Sequence, residues 1–464
     1  MVRCGVGGRR VGRAFYVLFQ LPGRRRRRAP GYNFAVVRGL WEEKRMNKRA
    51  GRTELRANHI AIAVAAAFAP WSLHAQTPPA PNTLPTGGAI THGSGTINAP
   101  VHTPTLSTMQ IDQTSARMAA QFGSFSIGES AHVNVTQPTS SSIALFKDVG
   151  GSVSQIYGRL TANGQLFVSN PNGVLIGRTG RVEAAGFIAS TLTLDENEFM
   201  LGGNSFNWVN NGAIGRVTNE GTILTPSGYA MLAGPQVLND GLIIANRGSV
   251  VLAAGDRVSL DLIGDGLISV SVDQAAFNGS VINTGTLQAD GGTVMLKASS
   301  ANALLDTVIN TSGIVRANSL VAVNGEIILD GGGAVQVAGT VEAIGGTINV
   351  SADSSLNVGS TVCCVPTQVT AGTQTIEAGS ITIGGGASVT TTSGSQTVTT
   401  PGTLLVRGGV LSGGVGLFHN GSGEQRISAG NLELRGGSGT STGAFINSNA
   451  GGDQVVTVDR KSVV

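Results

Sequence analysis

VTNEGTI, residues 217–223, returns as VLNDGLI at 237–243, and the same shape recurs as VINTGTL (281–287), VINTSGI (308–314) and VQVAGTV (335–341). The first two copies start 20 residues apart and the last three at an even 27. A longer block, GTLQADGGTVMLKAS (285–299), matches GTVEAIGGTINVSAD (339–353) at twice that interval. Periods of this length, built from short β runs and Gly/Asn turns, are the mark of a solenoid. No helical pattern interrupts them, which excludes leucine-rich and ankyrin repeats. Period-two alternation sets the facing: Ile348 and Val350 point inward around Asn349, and Val250 and Leu252 do so around Val251. Each coil then buries a column of Val, Ile and Leu, with Asn or Gly at the corners. At 20–27 residues per coil, residues 85–345 predict roughly ten to thirteen coils. From about Ser360 the pattern loosens into Ser-, Thr- and Gly-rich β segments, read as less regular solenoid with disorder as the alternative.

Composition agrees. Glycine makes up 68 of 464 residues and charged residues only 12%, which suits strands and tight turns better than helices or a disordered chain. The net charge of +4 conceals an asymmetry. Residues 1–75 carry 16 of the 31 cations and three of the 27 acids, leaving 15 basic and 24 acidic side chains in the remainder. The basic character belongs to the front end. The mildly acidic body has no basic patch, which argues against a nucleic-acid partner.

From Met46 the chain reads as a secretory signal. Lys48, Arg49, Arg52 and Arg56 form a basic start, Ile60 to Ala69 an apolar stretch, and Ala75 a small residue before Gln76. Cleavage is expected between Ala75 and Gln76, and the stretch is too short for a membrane span. Residues 1–45, with Arg24 to Arg28, are read as an extension from a start codon called too early, and 46–75 as the signal. At the other end, DRKSVV (459–464) breaks the style of what precedes it and is read as a sequencing artefact, with the natural chain continuing. After the signal the cysteines are Cys363 and Cys364, adjacent and unsuited to a disulfide framework.

VSNPNGVLIG (168–177) sets a turn between QLFVS (165–169) and VLI (174–176). Asn170 precedes proline and is pushed to extended backbone. Pro171 presets the second turn position, Asn172 tolerates a left-handed conformation and Gly173 suits φ > 0. Taken alone, NPNG is an ordinary β-turn.

Its surroundings give it more weight. LPTGGAITHGSGTI (84–97), QTSARMAAQFGSFSIGESAHVNVTQP (113–138) and GRLTANGQLFVSNPNGVLIG (158–177) resemble, in order, the N-terminal secretion domain of two-partner secretion exoproteins, the filamentous haemagglutinin family. GYAMLAGPQVLNDGLIIANRGSVVLAAGDRVSLDLIGDGLISVSVD (228–273) resembles its continuation. The resemblance implies an all-β fold, a right-handed parallel β-helix with short extra-helical β elements, secreted by a Gram-negative bacterium. It implies recognition in the periplasm by an outer-membrane β-barrel transporter with POTRA domains, followed by folding at the cell surface. The family's NPNG-type motif falls on Asn170, Pro171, Asn172 and Gly173, where a fixed corner would hold a coil's exit direction early in folding. Phe122 departs from the pattern, standing where a tryptophan is expected, and no clear copy of the family's other Asn-Pro-Asn motif is present. On this reading 76–330 is the secretion domain and 331–458 further solenoid or low-complexity passenger. The passenger is expected to be an adhesin or haemagglutinin, its receptor a glycan or protein on a host or bacterial surface. A contact-dependent growth-inhibition toxin is the alternative.

No catalytic constellation or cofactor is implied. His92, His102, His132 and His419 stand at no ligand spacing and are read as solvated. The GDG at 264–266, beside Asp256 and Asp261, lacks the following repeat of a calcium-binding β-roll. Gly331 to Gly333 lack the Lys-Ser/Thr of a phosphate loop. A β-helical polysaccharide-acting enzyme would need paired carboxylates. Here Glu220, Asp240, Asp290 and Asp330 are scattered and read as solvated corners, so the chain is read as no enzyme.

Overall fold

In a computed structural model of the chain, the described residues are 15–20, 34–39 and 77–463, less 263–267, 303–306, 321–322, 361–365, 410–413, 438–441 and 450–451. The chain divides into two units, Met1–Gln76 and Thr77–Val464. The first is described by one antiparallel pair, Phe15–Gln20 with Phe34–Gly39. The expected signal with Ala75 and Gln76, the adjacent Cys363 and Cys364 and the GDG at 264–266 lie outside the described residues.

The second unit is a right-handed parallel β-helix. One coil runs Ser154–Ile156, Arg159–Ala162, Gln165–Ser169, one strand in each of three sheets. The next runs Val174–Ile176, Arg181–Glu183, Gly186–Ser190 and pairs with it in parallel on all three. The repeats found in the sequence lie where the first sheet turns into the second. There Gly221, Gly241, Gly285, Gly313 and Gly339 stack in a column. A Cβ on Gly241 would lie 2.2 Å from the Gly221 carbonyl oxygen, and one on Gly285, Gly313 or Gly339 would lie 2.1 Å from the oxygen of the glycine beneath. Two residues earlier, the fully buried Asn219, Asn239 and Asn283 form an amide ladder. Asn219 Nδ2 donates to Asn239 Oδ1 at 2.7 Å, Asn239 Nδ2 to Asn283 Oδ1 at 2.8 Å, and Asn283 Nδ2 to Thr311 Oγ1 at 3.1 Å.

That column corrects the register. Aligning VINT on VINT at 27 residues would place Asn310 on Asn283. The structure instead pairs Val281 with Ile309 and Ile309 with Val335, steps of 28 and then 26. Gly313 must fall on Gly285, and a one-residue slip would also turn every inward side chain outward. The coil count is corrected too. Within 85–345 the parallel third-sheet strands number eight among the described residues, short of ten, because the cap strands and two excursions consume chain.

Both excursions settle on the outside of the third sheet. The first carries a short helix, α1 (Glu196–Met200), and the strand Ser205–Val209. The second is the hairpin Arg257–Leu262 with Ile268–Gln274, which completes a three-stranded antiparallel sheet. Phe199, Phe206, Trp208, Val258 and Leu260 bury the outward side chains Phe167, Ile188, Met231 and Val251 beneath them. Val251, expected at the surface, is fully buried for that reason. Ile348 and Val350 point into the solenoid core as expected. Antiparallel strands Ala89–His92 and Gly95–Ile97 cap the first coil.

Beyond 330 the stack continues without a break through Thr340–Val358, Gln368–Ile383, Gln396–Arg407, Gln425–Arg435 and Gln454–Val463. A second amide ladder runs up its interior: Gln396 Nε2 donates to Gln374 at 3.0 Å, Gln425 to Gln396 at 2.7 Å and Gln454 to Gln425 at 2.6 Å.

The glycine column is testable by adding one methyl group. Gly241→Ala should lower stability by about 2 kcal/mol or more, because the obstructing atom is backbone. Gly151→Ala, where a Cβ meets nothing within 4 Å, should stay within about 0.5 kcal/mol of the parent in urea unfolding.

Candidate functional site

Asn170 is fully buried at the corner where the third sheet returns to the first. Its Oδ1 accepts from the Asn172 amide at 2.9 Å, and its carbonyl accepts from Gly173 N at 3.0 Å, closing the turn. Gly173 takes φ +127°, as expected. Asn172 does not adopt a positive φ. Its role is instead a reach into the previous coil, Nδ2 donating to the Gly150 carbonyl at 2.8 Å. Within the turn the two side chains also meet, Asn172 Nδ2 donating to Asn170 Oδ1 at 3.3 Å, so Asn170 is the acceptor on which the turn closes.

From this corner a polar network runs down through the preceding coils. Asn170 Nδ2 donates to the Ser152 carbonyl at 2.8 Å and to Ser154 Oγ at 2.9 Å. Ser154 Oγ donates to Asp148 Oδ2 at 2.6 Å, and the same carboxylate accepts from the amides of Phe125 at 2.8 Å and Gly150 at 3.0 Å. Beside it, Phe122, Phe125 and Phe146 pack with ring centroids 5.0–5.5 Å apart. Phe122, the departure from the family pattern, thus fills the interior of the first coil.

On its other side the corner receives the first excursion. The Pro171 carbonyl accepts from Ile214 N at 3.1 Å and Gly215 N at 3.0 Å, and a Cβ on Gly215 would lie 2.2 Å from the Asn172 carbonyl. NPNG is thus the platform onto which the chain lands after 40 residues away from the first sheet (176 to 217).

Two charged side chains fasten that excursion down, and nothing in the repeats pointed to either. Glu196, at the start of α1, accepts from Thr91 Oγ1 at 2.6 Å and Gln121 Nε2 at 2.9 Å, and pairs with Lys147 Nζ at 3.1 Å and His92 Nδ1 at 3.0 Å. Burial alone would raise its pKa. The hydrogen bonds from Thr91, Gln121 and Lys147 and the Lys147 charge outweigh that and hold the carboxyl at about 2. Arg117 donates to the carbonyls of Phe199 and Gly203 and lies over the Phe199 and Phe206 rings, 5.4 and 5.1 Å from their centroids. Burial lowers its pKa from the ordinary arginine value. These contacts join the cap strand, the third sheet and the excursion.

The remaining singled-out residues are not brought together. His102 meets Ser107 and His132 meets Thr161, both at 2.7 Å. His419, expected at the surface, is fully buried, its Nε2 2.8 Å from the Gly394 carbonyl oxygen. Glu220 pairs with Arg178, Asp290 with Arg316 and Asp330 with Lys297. Among the described residues no group of three or more His, Cys, Asp or Glu is placed to hold a metal ion.

The model of the TPS secretion domain matches residues 87–343, the capped solenoid with its NPNG corner and both excursions. The chain belongs to that family. TPS secretion domains are engaged by outer-membrane transporters, and exoproteins that carry them are secreted through those transporters. Two Haemophilus influenzae proteins named heme/hemopexin-binding protein are 30% identical over 252 residues and 27% identical over 260, covering 53% and 51% of this chain. The chain spans 27% of the length of each. Among solved structures, the HMW1 secretion domain from Haemophilus influenzae superposes with a TM-score of 0.53 at 22% identity, covering 82% of this chain and all of that one, a likeness of fold. Among the described residues no helix is long and apolar enough to cross a membrane.

The Glu196 clamp has a pH signature. A carboxyl held at about 2 against an ordinary 4.5 contributes stability that is complete above pH 4.5 and lost as pH falls toward 2. Its size is on the order of 3 kcal/mol. Glu196→Gln should therefore be less stable than the parent at pH 7, and the gap between their urea midpoints should narrow from pH 5 to pH 2.

Proposed function

We propose that this chain is a secreted surface exoprotein whose TPS domain, over 76–330, is recognised in the periplasm by the POTRA domains of its transporter. In this reading export begins with the signal at 46–75, cut between Ala75 and Gln76, and the solenoid of 331–458 is an adhesive passenger. One observation carries the part played by Asn170, Pro171, Asn172 and Gly173. Their corner hydrogen-bonds the coil before it through two buried or half-buried asparagine side chains and receives the returning excursion on its proline carbonyl. A domain that starts a stack during export needs such a point to be fixed before later coils arrive. The motif does no chemistry.

The experiment is a quantitative blot of supernatant and periplasm from cells carrying the partner transporter. Asn170→Ala strips the Ser152 carbonyl and Ser154 hydroxyl of a buried donor, a loss of about 2–3 kcal/mol. Gly173→Val places a β-branched residue at φ +127°, costing about 1–3 kcal/mol. Both should lower the secreted amount severalfold and leave degraded protein in the periplasm, whereas Gly151→Ala should secrete normally. N-terminal sequencing of secreted protein should read from Gln76. Normal secretion of both corner variants would return NPNG to an ordinary turn.

A second reading has its own support, the names of the two Haemophilus influenzae relatives. In it the exoprotein captures heme or hemopexin. Hemin added to the purified chain should then give a shifted, saturable Soret band; an unchanged spectrum together with no retention on immobilised hemopexin would dismiss it.

A further inference from the structure

On the outer surface of the second sheet, late in the stack, lies a shallow groove of about 450 Å³ lined by Ser388, Thr390, Gly414, Phe418, Phe445 and three asparagines. Its floor is aromatic. Phe418 and Phe445 sit on the neighbouring strands Val415–His419 and Ala444–Ser448, ring centroids 6.3 Å apart and planes 37° apart. Phe445 is 44% exposed. Glycines make room for its ring: a Cβ on Gly414 would come within 2.9 Å of it, and one on Gly443 within 2.4 Å. The ring therefore packs over glycine and stays partly exposed.

The rim is amide. Asn447 Nδ2 donates to Asn449 Oδ1 at 2.7 Å, and Asn449 Nδ2 donates to Asn420 Oδ1 at 2.9 Å. This chain fixes the orientation of each amide and leaves an acceptor at the Asn447 end and a donor at the Asn420 end. Ser388 and Thr390, their hydroxyls 2.9 Å apart, border the opposite side. Among the described residues no ionisable side chain lines the groove.

We propose that this groove binds a neutral carbohydrate chain. An apolar floor bordered by oriented amides and hydroxyls suits a ligand with one C–H face and a hydroxyl edge. The described lining, without a charged side chain, disfavours uronates, sulfated sugars and peptides with charged side chains, which would lose hydration without gaining a partner. The two rings sit on adjacent coils with centroids 6.3 Å apart, so one extended sugar chain laid along the groove would touch both. The site gives the adhesive reading a ligand class but does not depend on transporter recognition.

The test uses the purified full chain, so its failure is separable from a failure of secretion. Saturation-transfer NMR and calorimetry with cellohexaose, maltohexaose and N-acetylchitohexaose should show at least one neutral hexasaccharide receiving transfer at its ring C–H protons. Hexagalacturonate and a heparin hexasaccharide should receive none. Phe445→Ala should weaken binding about tenfold, Asn449→Ala less, and Phe445→Tyr should restore it, all with unchanged circular dichroism. The proposal is overturned if no neutral hexasaccharide binds at millimolar concentration, if the acidic ones bind equally, or if Phe445→Ala binds like the parent. Concentration-dependent dimers abolished by Phe445→Ala, without sugar binding, would also overturn it by assigning the groove to a second copy of the chain.

Discussion

Backbone stacked on backbone about 4.8 Å away is the constraint from which the rest of this molecule follows. At the first corner that spacing brings each carbonyl oxygen to where the next coil would otherwise carry a Cβ, so Gly221, Gly241, Gly285, Gly313 and Gly339 fall in a column. The glycines hold the register, and the register places Asn219, Asn239 and Asn283 one above another. Buried amides that donate upward and accept from below leave no polar group unpaired, which a low-dielectric interior demands. Coil length is free to vary only away from these corners.

That freedom is used on one face. Both excursions leave the corner path and lie over the third sheet, where Phe167, Ile188, Met231 and Val251 would otherwise meet water. The covering layer is held by apolar packing and by two charged groups with several partners each, Glu196 and Arg117. The chain must then rejoin the stack in register, and the NPNG corner gives it the Pro171 carbonyl as acceptor at the point of return. The motif, the excursion and the cap strands thus form one connected assembly around the first coils.

Later coils solve the same problem with different chemistry. Gln374, Gln396, Gln425 and Gln454 replace the asparagines as the internal ladder, at another corner and with a longer reach. Among the described residues no layer is laid over the second sheet at Val415–His419 and Ala444–Ser448, and Phe445 stays partly exposed.

The local, periodic features were legible in the sequence: alternation around Asn349, the glycine-bearing repeats and the NPNG turn, because each is imposed by neighbours along the chain or one coil away. The excursions were not. Residues 194–212 carry no repeat, so Glu196, Arg117 and the burial of Val251 had no periodic signal, and counting coils from length alone gave too many. Even the repeats misled by one residue at 308–314, since VINT matches VINT as text while Gly313 must meet Gly285 in space. Sequence by itself determined that the chain would coil and which family it resembled, because corner glycines and alternating strands encode both. Tertiary structure alone decided which face is covered, where the chain returns, and that Asn170 anchors the corner while Asn172 reaches across coils. Those outcomes depend on contacts between coils and excursions, which no local pattern specifies.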